Sequence, residues 1–164
     1  MKNRTYWWLK HVFIGPLLWV YNRPFSRGLD KTPMDGPVIF ASNHLAVMDS
    51  FYFPLLSKRQ LTFLAKKEYF TTPGLVGAIQ KWFFSSVGQV PIDRADKSSQ
   101  EAALHTALEV LERGDALGMY PEGTRSPDGR LYRGKTGMAR IALKSGVKVY
   151  PVAMINTNKA VSYT

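Results

Sequence analysis

Short, mainly apolar runs punctuate this chain: Val38-Ile39-Phe40-Ala41, Leu61-Thr62-Phe63-Leu64-Ala65, Ala116-Leu117-Gly118-Met119-Tyr120 and Val147 to Met154, the last interrupted by Lys148. Val38 to Ala41, bounded by Pro37 and Ser42, suits a buried strand, and the other three read as strands. Between them the apolar spacing is helical. Leu104, Leu108 and Leu111 repeat at that interval after the capping-box sequence Ser98-Ser99-Gln100-Glu101, and Gly114 closes the segment. Asp49 to Leu56 opens as a helix with an acid at its amino end, Pro73 to Phe84 reads as a mainly apolar helix, and Thr136 to Lys144 as a helix stopped by Gly146. Asn22 to Pro37 is rich in Pro, Gly and charge and predicts a connecting loop. Strands alternating with helices predict an α/β domain over residues 38–164, with a mixed central sheet flanked by helices and no internal repeat.

The first 25 residues follow a different pattern. Tyr6-Trp7-Trp8-Leu9 and Val12 to Tyr21 are apolar and aromatic, broken by Lys10 and His11, with Pro16 set to kink a helix. A membrane-crossing helix needs roughly 20 consecutive apolar residues, so the run is too short to span. No small-residue cleavage site follows it, which argues against a signal peptide. Three of the four tryptophans, Trp7, Trp8 and Trp19, lie here, and tryptophan favours the headgroup level. The pattern predicts an amphipathic helix over residues 1 to about 25 that associates with a membrane by lying in one leaflet; the alternative is a helix packed on its own domain.

Charge narrows the partners. There are 22 Lys and Arg against 12 Asp and Glu, a net charge of +10, which attracts nucleic acid, anionic lipid or phosphorylated small molecules. Basic residues interleave with aromatics only in the apolar amino-terminal stretch, and a nucleic-acid-binding module would need that pairing on an exposed stacking face. No nucleic-acid partner is therefore expected, and an anionic membrane surface is. The chain has no cysteine, which removes disulfides, thiolate metal sites and cysteine nucleophiles.

Two motifs carry candidate chemistry. Asn43-His44-Leu45-Ala46-Val47-Met48-Asp49 places an imidazole at the carboxyl end of the first predicted strand, where α/β sheets hold ligands, with a carboxylate five residues on to orient it as a general base. A core histidine satisfied by backbone is the competing reading. Tyr120-Pro121-Glu122-Gly123-Thr124-Arg125-Ser126 offers a glycine, hydroxyls and a guanidinium, the groups that cradle a phosphate, with Arg130, Arg133 and Lys135 close behind; a solvated polar turn is the alternative. Arg94, at the end of the apolar run from Val87, could reach the same anion. No Gly-x-Ser-x-Gly elbow supports a serine hydrolase. The acids and histidines form no convincing metal cluster, and no dinucleotide fingerprint occurs, so no metal or cofactor is expected.

Taken together, the motifs resemble those of the 1-acylglycerol-3-phosphate acyltransferase family, within the glycerolipid acyltransferase superfamily. His44-x4-Asp49 with its preceding Asn43 matches the first family motif. Gly88-Gln89-Val90-Pro91-Ile92-Asp93-Arg94 is similar to the second, with Pro91 where an aromatic is usual. Tyr120 to Ser126 resembles the third with Tyr120 for Phe, and Val147 to Val152 the fourth, all in family order. The resemblance implies transfer of a fatty acyl group from a coenzyme A or acyl-carrier-protein thioester to the free hydroxyl of a lysophosphatidic acid. It implies His44 as base, Asp49 as its orienter, and Arg94, Glu122, Gly123, Thr124 and Arg125 as the phosphate site, at the cytoplasmic face of a membrane. Lys66 or backbone amides are candidates for the oxyanion or donor contact. Glycerol 3-phosphate, another lysophospholipid or a glycolipid stays open as acceptor. Family members generally continue beyond the point where this chain ends, ten residues after Met154, so the domain is expected to be incomplete at its carboxyl end, with a compact member as the alternative.

Overall fold

Residues 3–93 and 97–160 are described by a computed structural model. A helical path opens the chain, as α1 (Arg4–Trp8), a π-helical stretch (Leu9–Phe13) and α2 (Ile14–Asn22). After a loop with one short 3₁₀ turn come β1 (Val38–Ser42), α3 (Asp49–Leu56), β2 (Leu61–Lys66), α4 (Glu68–Thr71), α5 (Gly74–Ser86), β3 (Val90–Ile92), α6 (Lys97–Glu112), β4 (Ala116–Met119), α7 (Gly137–Ser145) and β5 (Val149–Val152). The strand order is β3-β2-β4-β1-β5.

All pairings in this sheet are parallel, which corrects the expected mixed sheet. Helices lie between successive strands, and such crossovers return the chain to the same end of the sheet before each new strand begins. The strand periodicity divides the runs of β1 and β4 between two cores. Val38, Phe40 and Ala116 face Tyr52 and Phe53 of α3, whereas Ile39 and Leu117 face Leu104, Ala107, Val110 and Leu111 of α6 and Ile141 of α7. In β1 and β4 burial on both faces is why the runs are unbroken rather than alternating, whereas β5 lies at the sheet edge with Val149 and Pro151 exposed.

β3 is a strand absent from the predicted set, masked by Pro91. It is an edge strand, and Pro91 is exposed, so the missing N–H costs no internal ladder bond. At α6 the helix is already formed at Lys97, one residue before the expected cap at Ser98. Gly146 ends α7 as predicted, in the left-handed region at φ 65°.

The amino-terminal path is stitched to the domain. The Asn3 side chain donates to the Ser86 carbonyl at 2.6 Å, Tyr6 Oη to the Pro54 carbonyl at 3.2 Å, and the Lys10 ammonium to the carbonyls of Pro54 and Ser57. Leu18 packs on the core beneath α3. The kink expected at Pro16 takes the form of the widened π turn just before it; a Cβ at Gly15 would lie 1.8 Å from the Lys10 carbonyl oxygen, so the turn needs glycine there. On the outward side Trp7, Trp8, Phe13, Leu17, Trp19, Val20 and Tyr21 are exposed. Apolar side chains thus lie on both sides of the segment, Leu18 turned to the core and the aromatics outward. Among the described residues no helix is long and apolar enough to cross a membrane.

Gly118 in β4 pairs with Phe63 in β2, and the Phe63 ring lies over it, 2.5 Å from where a Cβ would stand. Gly118→Ala should therefore lower stability by about 1–3 kcal/mol through overpacking, read as a drop in the urea midpoint at constant slope. An unchanged midpoint would show that the ring swings aside freely.

Candidate active site

At the carboxyl end of β1 the chain turns sharply around one carboxylate oxygen. Asp49, the first residue of α3, is fully buried. Its Oδ2 accepts from His44 Nδ1 at 2.8 Å, the Leu45 amide at 2.6 Å and the Ala46 amide at 2.8 Å. Four intervening residues make the tight loop that brings an imidazole and two amides onto a single oxygen. Burial pushes the Asp49 pKa up, but hydrogen bonds from His44 and the Ala46 and Leu45 amides, with the polar Thr157 hydroxyl nearby, outweigh it and hold the carboxyl below its ordinary value of 3.8. The other oxygen, Oδ1, and the Thr157 hydroxyl are both enclosed without a close hydrogen-bond partner of their own.

With Asp49 ionised, Nδ1 carries the proton and Nε2 keeps the lone pair, so the ring can accept a proton there. The His44 side chain is 16% exposed and lines the main cleft. Tyr120 stacks on the ring at 3.9 Å between centroids and 13° between planes, and Phe63 stacks on Tyr120 at 5.5 Å. Burial raises the Tyr120 pKa, so the stacking ring stays neutral. Rotation of the imidazole is opposed on its edge by the carboxylate and on its face by the phenol.

A second buried carboxylate holds the surrounding loops. Glu122 accepts from the His44 amide through Oε1 and from the Tyr132 amide through Oε2, each at 3.0 Å, and the Ser126 amide donates to the His44 carbonyl at 2.7 Å. Because β4 lies beside β1, the loop after Met119 runs next to the His44 turn, and these bonds join the two. Asn43 ties in the third strand end, donating to the Met154 carbonyl at 3.0 Å and accepting from the Met154 amide at 2.7 Å.

The cleft has a volume of about 1190 Å³ and passes over the carboxyl edge of the sheet. One arm is apolar, between the amino-terminal helix, α3 and α5, with Ile14, Phe51, Leu55 and Phe83 among its walls. The other carries Lys66, Arg125, Arg133, Lys135 and Arg140, the last paired with Glu101 at 2.5 Å. Gly123 has φ +74°, and Lys135 lies close enough that a Cβ there would stand 3.2 Å from its ammonium.

Most of the residues singled out in the sequence therefore meet. His44, Gly123, Thr124, Arg125 and Lys66 line one cleft, Asp49 lies behind His44, and Glu122 is turned inward to backbone amides and away from the cleft. Arg94 lies outside the described residues. Trp7, Trp8 and Trp19 sit on the exposed side of the amino-terminal helix. Tyr120 as a stacking partner, Tyr132 as a Glu122 ligand and Thr157 beside Asp49 carried no local signal, since each acts through a contact made only by the fold.

An acyltransferase family model matches residues 23–155, which include every strand and both motif loops. The chain belongs to the acyltransferase family. It is similar to the chloroplast 1-acyl-sn-glycerol-3-phosphate acyltransferase LPAT1 of Arabidopsis thaliana, at 37% identity over 91% of this chain and 42% of that protein. A 1-acyl-sn-glycerol-3-phosphate acyltransferase of Borreliella burgdorferi is 31% identical over 80% of this chain and 50% of its own length. Among solved structures, the 1-acyl-sn-glycerophosphate acyltransferase PlsC of Thermotoga maritima matches with a TM-score of 0.58 and 30% identity, over 77% of this chain and 47% of that one. The chain spans about half the length of the curated relatives it matches.

The lowered Asp49 pKa fixes a pH dependence in this acyltransferase chain. A carboxyl whose folded pKa lies below its unfolded one stabilises the fold fully above the unfolded value and loses that contribution as pH falls through the folded one. The stability advantage of the wild type over Asp49→Asn should thus be constant near neutrality and shrink below pH 3.8. Denaturant midpoints compared from pH 7 down to 3 read this directly, and an advantage that grows on acidification would contradict it.

Proposed function

We propose that this protein transfers a fatty acyl group from a coenzyme A or acyl-carrier-protein thioester to the free hydroxyl of 1-acylglycerol 3-phosphate, making phosphatidic acid. The observation that carries the reading is the position of His44: it stands in a single cleft with an apolar arm suited to acyl chains and a basic arm suited to a phosphate. The names of the relatives support the same reaction class.

In this scheme Nε2 of His44 removes the proton of the acceptor hydroxyl as its oxygen attacks the thioester carbonyl. The tetrahedral oxyanion then collapses, the carbon–sulfur bond breaks, and the imidazolium returns the proton to the departing thiolate. Asp49 stabilises the imidazolium between these steps and keeps Nδ1 protonated. Arg125, Thr124 and the Gly123 backbone, with Lys135 across the glycine, gather the acceptor phosphate, and Arg94 adds to that set. Glu122 serves by holding the loop, since a carboxylate would repel the phosphate directly. Lys66 is the candidate side chain for the oxyanion or the donor. The scheme uses no metal or cofactor. The exposed aromatic side of the amino-terminal helix rests on an anionic leaflet at the cytoplasmic face, which brings the cleft to a substrate that resides in the bilayer.

Incubation with a lysophosphatidic acid and an acyl-coenzyme A should yield phosphatidic acid and free thiol in equal amounts. His44→Ala should lower the rate by on the order of 10²–10⁴-fold. Thiol release without acylated acceptor, or full activity in the His44 variant, would overturn the assignment.

A further inference from the structure

The apolar segment from Pro73 to Phe84 does more than pack. Gly77, Gln80, Phe83, Phe84 and Val87 turn inward: Gly77 is buried, and the other four line the cleft. The opposite stripe, Leu75, Val76, Ile79 and Trp82, is 79%, 66%, 57% and 57% exposed and lines no part of the cleft. Four large apolar side chains on one exposed helix face are unusual for a surface that meets only water.

Two further observations say what covers them. The Asn3 side chain bonds the Ser86 carbonyl, so the end of α5 lies beside the start of the amino-terminal helix, whose outward side is also aromatic and apolar. Tyr6, Leu9 and Ile14 from that helix and Phe83, Phe84 and Val87 from the end of α5 line the apolar arm of the same cleft. Charge follows the same division. No acid occurs before Asp30 or between Glu68 and Asp93, while Arg4, Arg23 and Lys81 are exposed bases within these two segments. A surface that is apolar, carries tryptophan and excludes acids is complementary to an anionic lipid leaflet.

We infer that α5 is a second membrane-seated helix, with Leu75, Val76, Ile79 and Trp82 inserted at headgroup depth, and that lipid reaches His44 through the apolar arm between α5 and the amino-terminal helix. This rests on the membrane reading above and adds to it a surface and a route. The two helices act as paired rails: each presents apolar residues outward to the leaflet and others inward to the cleft.

The test uses vesicles of phosphatidylcholine and phosphatidylglycerol whose acyl chains are brominated. A variant with Trp82 as its sole tryptophan (Trp7→Phe, Trp8→Phe, Trp19→Phe) should be quenched by these vesicles, as should the amino-terminal tryptophans in Trp82→Phe. The double variant Leu75→Asp with Ile79→Asp should lose about tenfold or more in vesicle partitioning, yet keep its circular dichroism and its turnover on detergent-dispersed acceptor. Quenching of the amino-terminal tryptophans with Trp82 untouched would overturn the inference and leave the membrane reading standing. Absence of quenching in both proteins would overturn both. A doubled mass in light scattering with Trp82 shielded would assign the α5 face to a second copy of the chain instead. The quenching needs no catalysis, so a failed acyl transfer assay does not decide it.

Discussion

One buried oxygen, Oδ2 of Asp49, organises the carboxyl end of the sheet. It carries charge in a site closed to water, which is costly unless donors converge on it, and three do: the His44 ring and the amides of Leu45 and Ala46. Satisfying that oxygen and orienting the imidazole are the same event. The loop cannot relax away from its turn without leaving a buried carboxylate short of partners, so the direction of His44 is maintained by the cost of every alternative. Stacking on Tyr120 then fixes the remaining rotation.

Glu122 extends this logic between strands. Its two oxygens bind the amides of His44 and Tyr132, joining the turn after β1 to the long loop after β4. Both carboxylates are spent on backbone and, in Asp49, on the ring, so neither presents negative charge to the basic arm of the cleft. The fold thereby keeps these two acids as internal ties while Arg125, Arg133 and Lys135 line the cleft. A parallel sheet makes the arrangement compact, since β1, β4 and β2 deliver the His44 turn, the Glu122 loop and Lys66 to one edge.

The cleft at the same edge has two kinds of lining. α3, α5 and the amino-terminal helix give the cleft much of its apolar lining, the loop after β4 and α7 give it Arg125, Arg133, Lys135 and Arg140, and His44 lines it too. The outward faces of the amino-terminal helix and α5 are apolar as well.

Much of this was legible along the chain because it is local. Mainly apolar runs predict strands, helical spacing in Leu104 to Leu111 predicts α6, and four residues between His44 and Asp49 suffice for a turn around a carboxylate. The motifs in order pointed to the family for the same reason: each is a short loop whose chemistry sits within a few residues. What depended on pairing was not legible. The parallel sense of every strand pair, the edge position that lets Pro91 sit in β3, the inward turn of Glu122 and the exposure of one α5 face are set by which element lies beside which, and an apolar helix reads alike whether its second face meets core or lipid. The stacking of Tyr120 on His44 and the placing of Thr157 beside Asp49 join residues 76 and 108 positions apart. Only the closed sheet, by bringing distant strand ends to one edge, decides contacts of that kind.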